Sequence, residues 1–445
     1  MSSHSFSKIM MVLGLSTLLV TFWGTANHHF PFYAHTYPFA WYGLIVFIDG
    51  FLWWRWREGL ILARPKESLS LLFWSAVFWF YFEIWNLHLQ DWYFAGAPPE
   101  GPWAHVEAYL DFATVLPGMF LVYRLLCRLK IPGQVRTTAT IKRGGRRACP
   151  LIGCAMLVLP FLYPDWFFPL VWGALIFLLE PILAKWGGPS LLKDAEAGQW
   201  TTLVRLLIAG ILCGGYWELC NFWSLEKWVY TVPFFSEGKL LEMPYLGFLG
   251  FPPFCVECFV MTNAVYLLRN GAHWLPETTG KQRASGGYSR KAAYALVVLL
   301  GLVLSEWSFG QMNAHTIDSR SESLQEILGD ISLSEATTLT KKGWQYPKEI
   351  LKDWDEVSPV ISAPFRERIH SRLALVSLLN MGSQNARLLE MAGICVPEGL
   401  RQQAPNDLFA DLVTINQATG LRKTPLVKRR VAAWINAAKR QSPFY

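Results

Sequence analysis

The chain has 445 residues, of which 52% are apolar and only 16% charged, with a formal net charge of +7. Soluble domains carry about 25% charged residues, so this composition excludes a wholly soluble protein and points to lipid. The 22 tryptophans agree, because Trp and Tyr collect where a membrane meets water.

A helical span needs about 20 mostly apolar residues. In chain order, nine stretches qualify: roughly 9–25, 38–54, 69–87, 109–127, 149–164, 166–184, 203–222, 244–268 and 291–309. The first follows Lys8, as the apolar part of a signal peptide would, but the repeat described next needs it as a retained helix. The fifth and sixth are separated only by Tyr163, Pro164 and Asp165. Of the 23 Lys and Arg residues before residue 310, 21 fall in alternate loops, the exceptions being Lys227 and Lys239. Cytoplasmic loops hold the excess of positive charge. This places the N-terminus in the cytoplasm of a multi-pass inner-membrane protein. With nine spans, the C-terminal domain falls on the extracytoplasmic side.

The chain repeats itself. Phe82-Glu83-Ile84-Trp85-Asn86 at the end of the third span matches Trp217-Glu218-Leu219-Cys220-Asn221 at the end of the seventh, at an offset of 135. Downstream, Trp92 matches Trp228, Glu107 matches Glu242, Tyr109 matches Tyr245 and Pro117 matches Pro253. Upstream, Pro38, Trp41 and Asp49 match Pro169, Trp172 and Glu180 at an offset of 131. Each unit thus holds four helices. An even number keeps both copies in one orientation, with a pseudo-two-fold axis along the membrane normal. The expected class is all-α: a polytopic membrane helix bundle of about nine spans, a duplicated four-helix unit plus one, with a small C-terminal soluble helical domain. The expected boundaries are 1–135, 136–275, 276–310 for the ninth span, and 323–445.

Charged groups inside spans are costly and raise functional hypotheses. Glu83 and Asn86, like Glu218 and Asn221, are i and i+3 neighbours on one helix face. With Asp111, Glu242, Trp92 and Trp228 they gather at the outer interface in the expected topology. These eight residues form the expected ligand-binding set, and Glu83, Glu218 and the mid-span Glu257 are the candidate acids for catalysis. The same Glu-x-x-Asn motif, followed by an interfacial Trp, also suits a helix-end anchor. Cys255 and Cys258 form a C-x-x-C inside an apolar run, with no second pair to complete a zinc site. No metal and no cofactor is expected.

The stretch Pro253-Phe-Cys-Val-Glu257-Cys-Phe259-Val-Met-Thr262-Asn263 resembles a region of the small membrane-bound lycopene cyclase family, itself built from duplicated multi-helix units. The resemblance implies acid/base work by carboxyl groups on a polyene. The adjacent Glu-Glu pair of that family is replaced here by Val256-Glu257.

After residue 310 the spans cease and charge rises. Leu328, Ile331, Ala336, Leu339 and Gly343 recur as Leu378, Met381, Ala386, Leu389 and Gly393, at an offset of 50. The pattern reads helix, tight turn, helix, then Gly as a cap. It resembles a helix-hairpin-helix unit. Leu379-Asn380-Met381-Gly382, Ala386-Arg387-Leu388-Leu389 and Val431-Ala-Ala-Trp434-Ile435 further resemble a bacterial domain-of-unknown-function family of this type. That resemblance implies a compact helical fold. Arg422, Lys423, Lys428, Arg429, Arg430, Lys439 and Arg440 make the tail basic. Membrane lipids and a protein partner through this domain are the expected partners, with nucleic acid an alternative that the extracytoplasmic placement disfavours. The expected function is a lipid- or partner-binding or assembly protein with a pseudo-symmetric polar site. The alternatives are a membrane enzyme acting on an apolar lipid or isoprenoid, and a transporter.

Overall fold

A computed structural model describes residues 3–97, 101–138, 140, 145–234, 238–269, 288–320, 324–344, 346–378, 381–422 and 425–440. Leu379, Asn380 and Lys423, named above, lie outside them. The fold is all-α, with a few short strands.

The helices in chain order are α1 (Ser3–Ala26), α2 (Thr36–Trp56), α3 (Pro65–Leu89), α4 (Pro102–Phe112), α5 (Val115–Leu129), α6 (Gly145–Leu162), α7 (Pro164–Phe167), α8 (Ala174–Trp186), α9 (Leu191–Glu196), α10 (Thr201–Trp223), α11 (Phe251–Arg269) and α12 (Tyr288–His315). Among the described residues, eight helical stretches are long and apolar enough to cross a membrane. The expected second span forms as α2 but is not one of the eight. Its Tyr and Trp residues and Asp49 dilute its apolarity. The expected fourth, sixth and eighth spans are not continuous helices. The fourth divides into α4 and α5. The sixth runs through α7 and a 3-10 turn, Phe168–Trp172, into α8. The eighth opens with a 3-10 turn, Tyr245–Gly250, before α11.

The chain divides into two compact units. The membrane unit comprises Met1–Asp91, His105–Leu225 and Gly238–Gln311. In it α1 packs along α2, and α6 along α8. The α1–α2 approach is close: a methyl group on Gly50 would meet Met10 and the Ser7 carbonyl at 3.0 Å. Small residues let membrane helices approach in this way. α2 packs on α5, and α8 on α11. Trp41 of α2 lies against Trp217 with centroids 6.1 Å apart. Its counterpart Trp172 stacks on Phe82 at 4.9 Å, and Phe82 is the counterpart of Trp217.

The second unit comprises Trp92–Ala104, Glu226–Glu237 and Met312–Tyr445. Its three-stranded sheet has the order β2–β1–β5, from β1 (Trp92–Ala97), β2 (Lys227–Tyr230) and β5 (Ile317–Arg320); β3 (Lys239–Leu240) and β4 (Met243–Pro244) form a separate small hairpin. β1 and β2 run antiparallel with Trp92 opposite Tyr230, Tyr93 opposite Val229 and Phe94 opposite Trp228. Three membrane helices, α3, α10 and α12, each lead directly into one of the sheet strands.

The unit continues through α13 (Leu324–Leu328), α14 (Leu333–Lys341), α15 (Pro347–Lys352), α16 (Trp354–Val357), α17 (Arg366–Val376), α18 (Gly382–Met391), α19 (Pro397–Arg401), α20 (Pro405–Thr419) and α21 (Lys428–Arg440). Leu328, Ile331, Ala336 and Leu339 are buried in one core with Leu378, Met381, Ala386 and Leu389. Gly343 and Gly393 both take left-handed φ, +97° and +80°. In each case the next residue closes the helix, Trp344 N–H to Leu339 O and Ile394 N–H to Leu389 O. Each cap is followed by a short helix starting at proline, Pro347 or Pro397. Arg430 anchors α21 by donating to the His315 carbonyl at 2.7 Å, its guanidinium 4.6 Å from the Tyr93 ring centroid.

Candidate functional site

The nine expected site residues divide between the units. Glu83, Asn86, Asp111, Glu218, Asn221, Glu242 and Glu257 lie in the membrane unit, and Trp92 and Trp228 in the other. The sequence expected the two tryptophans in loops; they lie on the paired strands instead. Trp228 donates its indole N–H to the Tyr230 hydroxyl at 2.8 Å, and Trp92 is buried.

Glu83 is fully buried near the end of α3. Trp79, one turn earlier, donates its indole N–H to Oε1 at 2.8 Å, and Asn86 donates to Oε2 at 3.3 Å. The i, i+3 spacing thus has a local use: Asn86 helps solvate the acid. Glu218 and Asn221 are equally buried on α10. The position matching Trp79 is Gly214, and the Phe251 ring fills the space a side chain would need there. The two motifs meet through aromatic rings: Trp79 packs on Trp217 at 5.0 Å, and Phe254 touches both at about 6 Å, 5.9 and 6.1 Å.

Asp111 ends α4, and its backbone carbonyl accepts the Thr114 hydroxyl at 2.6 Å. At this break Ser75 of α3 donates to Phe112 O at 2.6 Å and accepts from Leu116 N–H at 3.0 Å. One hydroxyl therefore satisfies both loose backbone groups. Glu242 lies 3.6 Å from Lys239.

The deeper acids also bind backbone. Asp49 Oδ1 accepts from the N–H groups of Leu60 and Ile61. Glu180 accepts from Leu191 N–H at 3.1 Å, Leu192 N–H at 3.0 Å and the Ser190 hydroxyl at 2.6 Å. Both therefore tie down the turn that follows their own helix. Glu257 is fully buried on α11. Its Oε1 accepts from Leu175 N–H at 2.8 Å, in the first turn of α8, where the break at Gly173 leaves donors without intrahelical partners. Its Oε2 has no hydrogen-bond partner among the described residues.

Sequence reasoning missed Trp79, Ser75 and the backbone role of Asp49 and Glu180. An indole four residues before a buried acid was the available signal for Trp79. The contacts of Ser75 join distant segments and left no trace in spacing.

The buried, hydrogen-bonded acids and the long apolar helices define a polytopic α-helical membrane protein with an appended helical unit. Within that unit, residues 367–441 match the model of a domain of unknown function, DUF4332. No curated protein and no solved structure matches the chain.

Proposed function

We propose that the protein is a membrane-embedded assembly protein that presents its helical unit, of helix-hairpin-helix type, to a protein partner or to anionic lipid headgroups. The observation that carries this reading is the β2–β1–β5 sheet, whose strands follow three separate membrane helices and which belongs to the same compact unit as α13–α21. Such a platform needs rigid helices leading into its strands. The hydrogen bonds accepted by Asp49, Glu83, Glu180 and Glu257 suit that need better than they suit turnover, since each acid already serves its own fold.

The membrane part and the tail each arose by duplication, in this reading. Support comes from Asp49 and Glu180, which accept from counterpart backbone groups. The β1–β2 register also supports it, because the pairs Trp92–Tyr230 and Phe94–Trp228 exchange under a two-fold axis. The protein sits in the inner membrane with its N-terminus in the cytoplasm and the helical unit outside, where nucleic acid is rarely present.

Two measurements test this. A reporter fused after Tyr445 and active only outside the cytoplasm is expected to be active; activity of a cytoplasm-only reporter overturns the sidedness. Tagged protein in mild detergent is expected to carry a stoichiometric protein or anionic lipid. Val229→Pro, which breaks the β1–β2 ladder, is expected to abolish that recovery while the protein still inserts. Recovery of the chain alone overturns the assembly reading.

The unpartnered Oε2 of Glu257 favours a second reading, an acid acting on an apolar lipid or isoprenoid, as the lycopene cyclase resemblance implies. Changed membrane isoprenoid content in Glu257→Gln would support it. The breaks between α4 and α5 and before α11 fall at corresponding places, as in transporters with discontinuous helices. Solute uptake by vesicles holding the purified protein tests that alternative.

A further inference from the structure

His35 and Glu107, far apart in sequence, meet inside the membrane unit. His35 is the cap residue before α2, and its backbone N–H is fixed on the Pro31 carbonyl at 2.9 Å. Its Nδ1 faces Oε1 of Glu107 on α4. The two side chains are only 11% and 9% exposed. The second oxygen of Glu107 is also buried and accepts no hydrogen bond among the described residues.

The other half of the repeat handles the same position differently. Glu242, the counterpart of Glu107, has Lys239 beside it at 3.6 Å, a fixed positive charge supplied by the chain. Ala104 stands where that lysine would be, and it carries no charge. In the first half a buried carboxylate therefore faces an imidazole rather than an ammonium group. An imidazole nitrogen and a carboxylate oxygen brought together in a nearly buried site suit a borderline divalent metal better than magnesium or calcium, which prefer all-oxygen shells.

We propose that His35 and Glu107 hold a divalent transition-metal cation of the zinc–manganese type. Nδ1 and the carboxylate are its ligands, and its remaining positions are open to water or a further donor. This goes beyond the assembly reading and does not depend on it.

The test uses the full chain in detergent, stripped with EDTA and titrated separately with Zn²⁺, Mn²⁺, Co²⁺ and Mg²⁺. Elemental analysis reads bound metal, and the thermal midpoint reads its effect on the fold. The expected result is one equivalent of Zn²⁺ or Mn²⁺ with a raised midpoint, visible Co²⁺ bands, and little response to Mg²⁺. Glu107→Gln and His35→Gln, each close in size to the native residue, are expected to weaken binding about a hundredfold, the upper end of what loss of even a supporting group does to metal sites. Wild-type protein that binds no stoichiometric metal overturns the proposal. So does binding that both variants retain. If neither variant survives extraction, the wild-type Co²⁺ spectrum decides: imidazole and carboxylate ligation supports the site, and its absence overturns it.

Discussion

Two stretches of the membrane unit that match in sequence satisfy their helix breaks with different residues. Where the fourth expected span breaks, Ser75 bridges Phe112 O and Leu116 N–H with one hydroxyl. In the second half the matching positions are Gly210 and Pro252. Proline has no N–H to satisfy, so no hydroxyl is required. The smaller residue admits the chain instead: a methyl group on Gly210 would stand 2.5 Å from the Phe251 carbonyl. A second contrast runs the other way. α2 is continuous, and Leu121 is a buried apolar residue of α5, the helix that packs on α2. α8 starts afresh after Gly173, and the counterpart of Leu121 is Glu257, which accepts the stray Leu175 N–H. Matching positions keep the fold, and paired changes keep the backbone satisfied.

Exchanging these residues breaks the comparison, and the largest effect is expected at Leu121. Leu121→Glu puts an acid beside an unbroken helix with no stray donor to meet it. A loss of about 3 kcal/mol or more is expected, read as failure to insert or as a collapsed melting midpoint in detergent. The reciprocal Glu257→Leu is expected to cost less, about 1–2 kcal/mol for one orphaned N–H. Equal effects from both would show that the helix break does not set the difference.

Asp49→Leu and Glu180→Leu come next. Each orphans at least two backbone donors, so about 2–4 kcal/mol is expected for each, with Asp49→Asn and Glu180→Gln retaining most of the stability. A harmless Glu180→Leu would end the equivalence of the two turns. Ser75→Gly and Gly210→Ser are expected to cost about 2 kcal/mol each, by opposite causes: two unsatisfied backbone groups in the first and overpacking in the second. Thermal unfolding of the single and double variants would read this, and near-additivity is expected because the sites do not share partners.

The smallest effect belongs to the helical unit, where the two segments matched at an offset of 50 differ in the same manner. Ser332 and Glu335 form a reciprocal cap at α14, and Glu335 also accepts from the Ser362 hydroxyl at 2.6 Å. The bonds from Ser362 and Ser332 lower its carboxyl from the ordinary 4.5 to about 2. A group depressed on folding stabilises fully above its unfolded value and loses that contribution as pH falls through the folded value. The cap is therefore expected to weaken between pH 4.5 and 2. Its counterpart Asn385, held by Arg422 and donating to the Met381 carbonyl at 2.5 Å, has no ionisable group. Glu335→Gln should flatten the acid limb of a melting profile with only a small change at neutral pH; an unchanged limb would remove Glu335 as its source.

The sequence displayed what depends on long apolar runs and on matched spacing. The membrane helices were legible because each must hide its backbone in one continuous segment. The buried residues of the helical unit were legible because Leu328, Ile331, Ala336 and Leu339 recur in register with Leu378, Met381, Ala386 and Leu389. The strands were not, since β1 and β2 are short and draw their stability from each other across more than a hundred residues. The candidate acids were visible as costly residues in apolar surroundings. Their partners were not, because Leu175 N–H, Ser75 and the turns after Asp49 and Glu180 act through backbone geometry that leaves no mark on composition.

The register of β1 and β2 has a further consequence. A pair built on a local two-fold presents two equivalent outer edges, and each invites a third strand equally. The chain possesses one β5, and it lies along β1. Because β5 pairs with β1, β2 is the terminal strand of this sheet among the described residues. The two-fold parity of the β1–β2 register therefore ends at the β1–β5 edge.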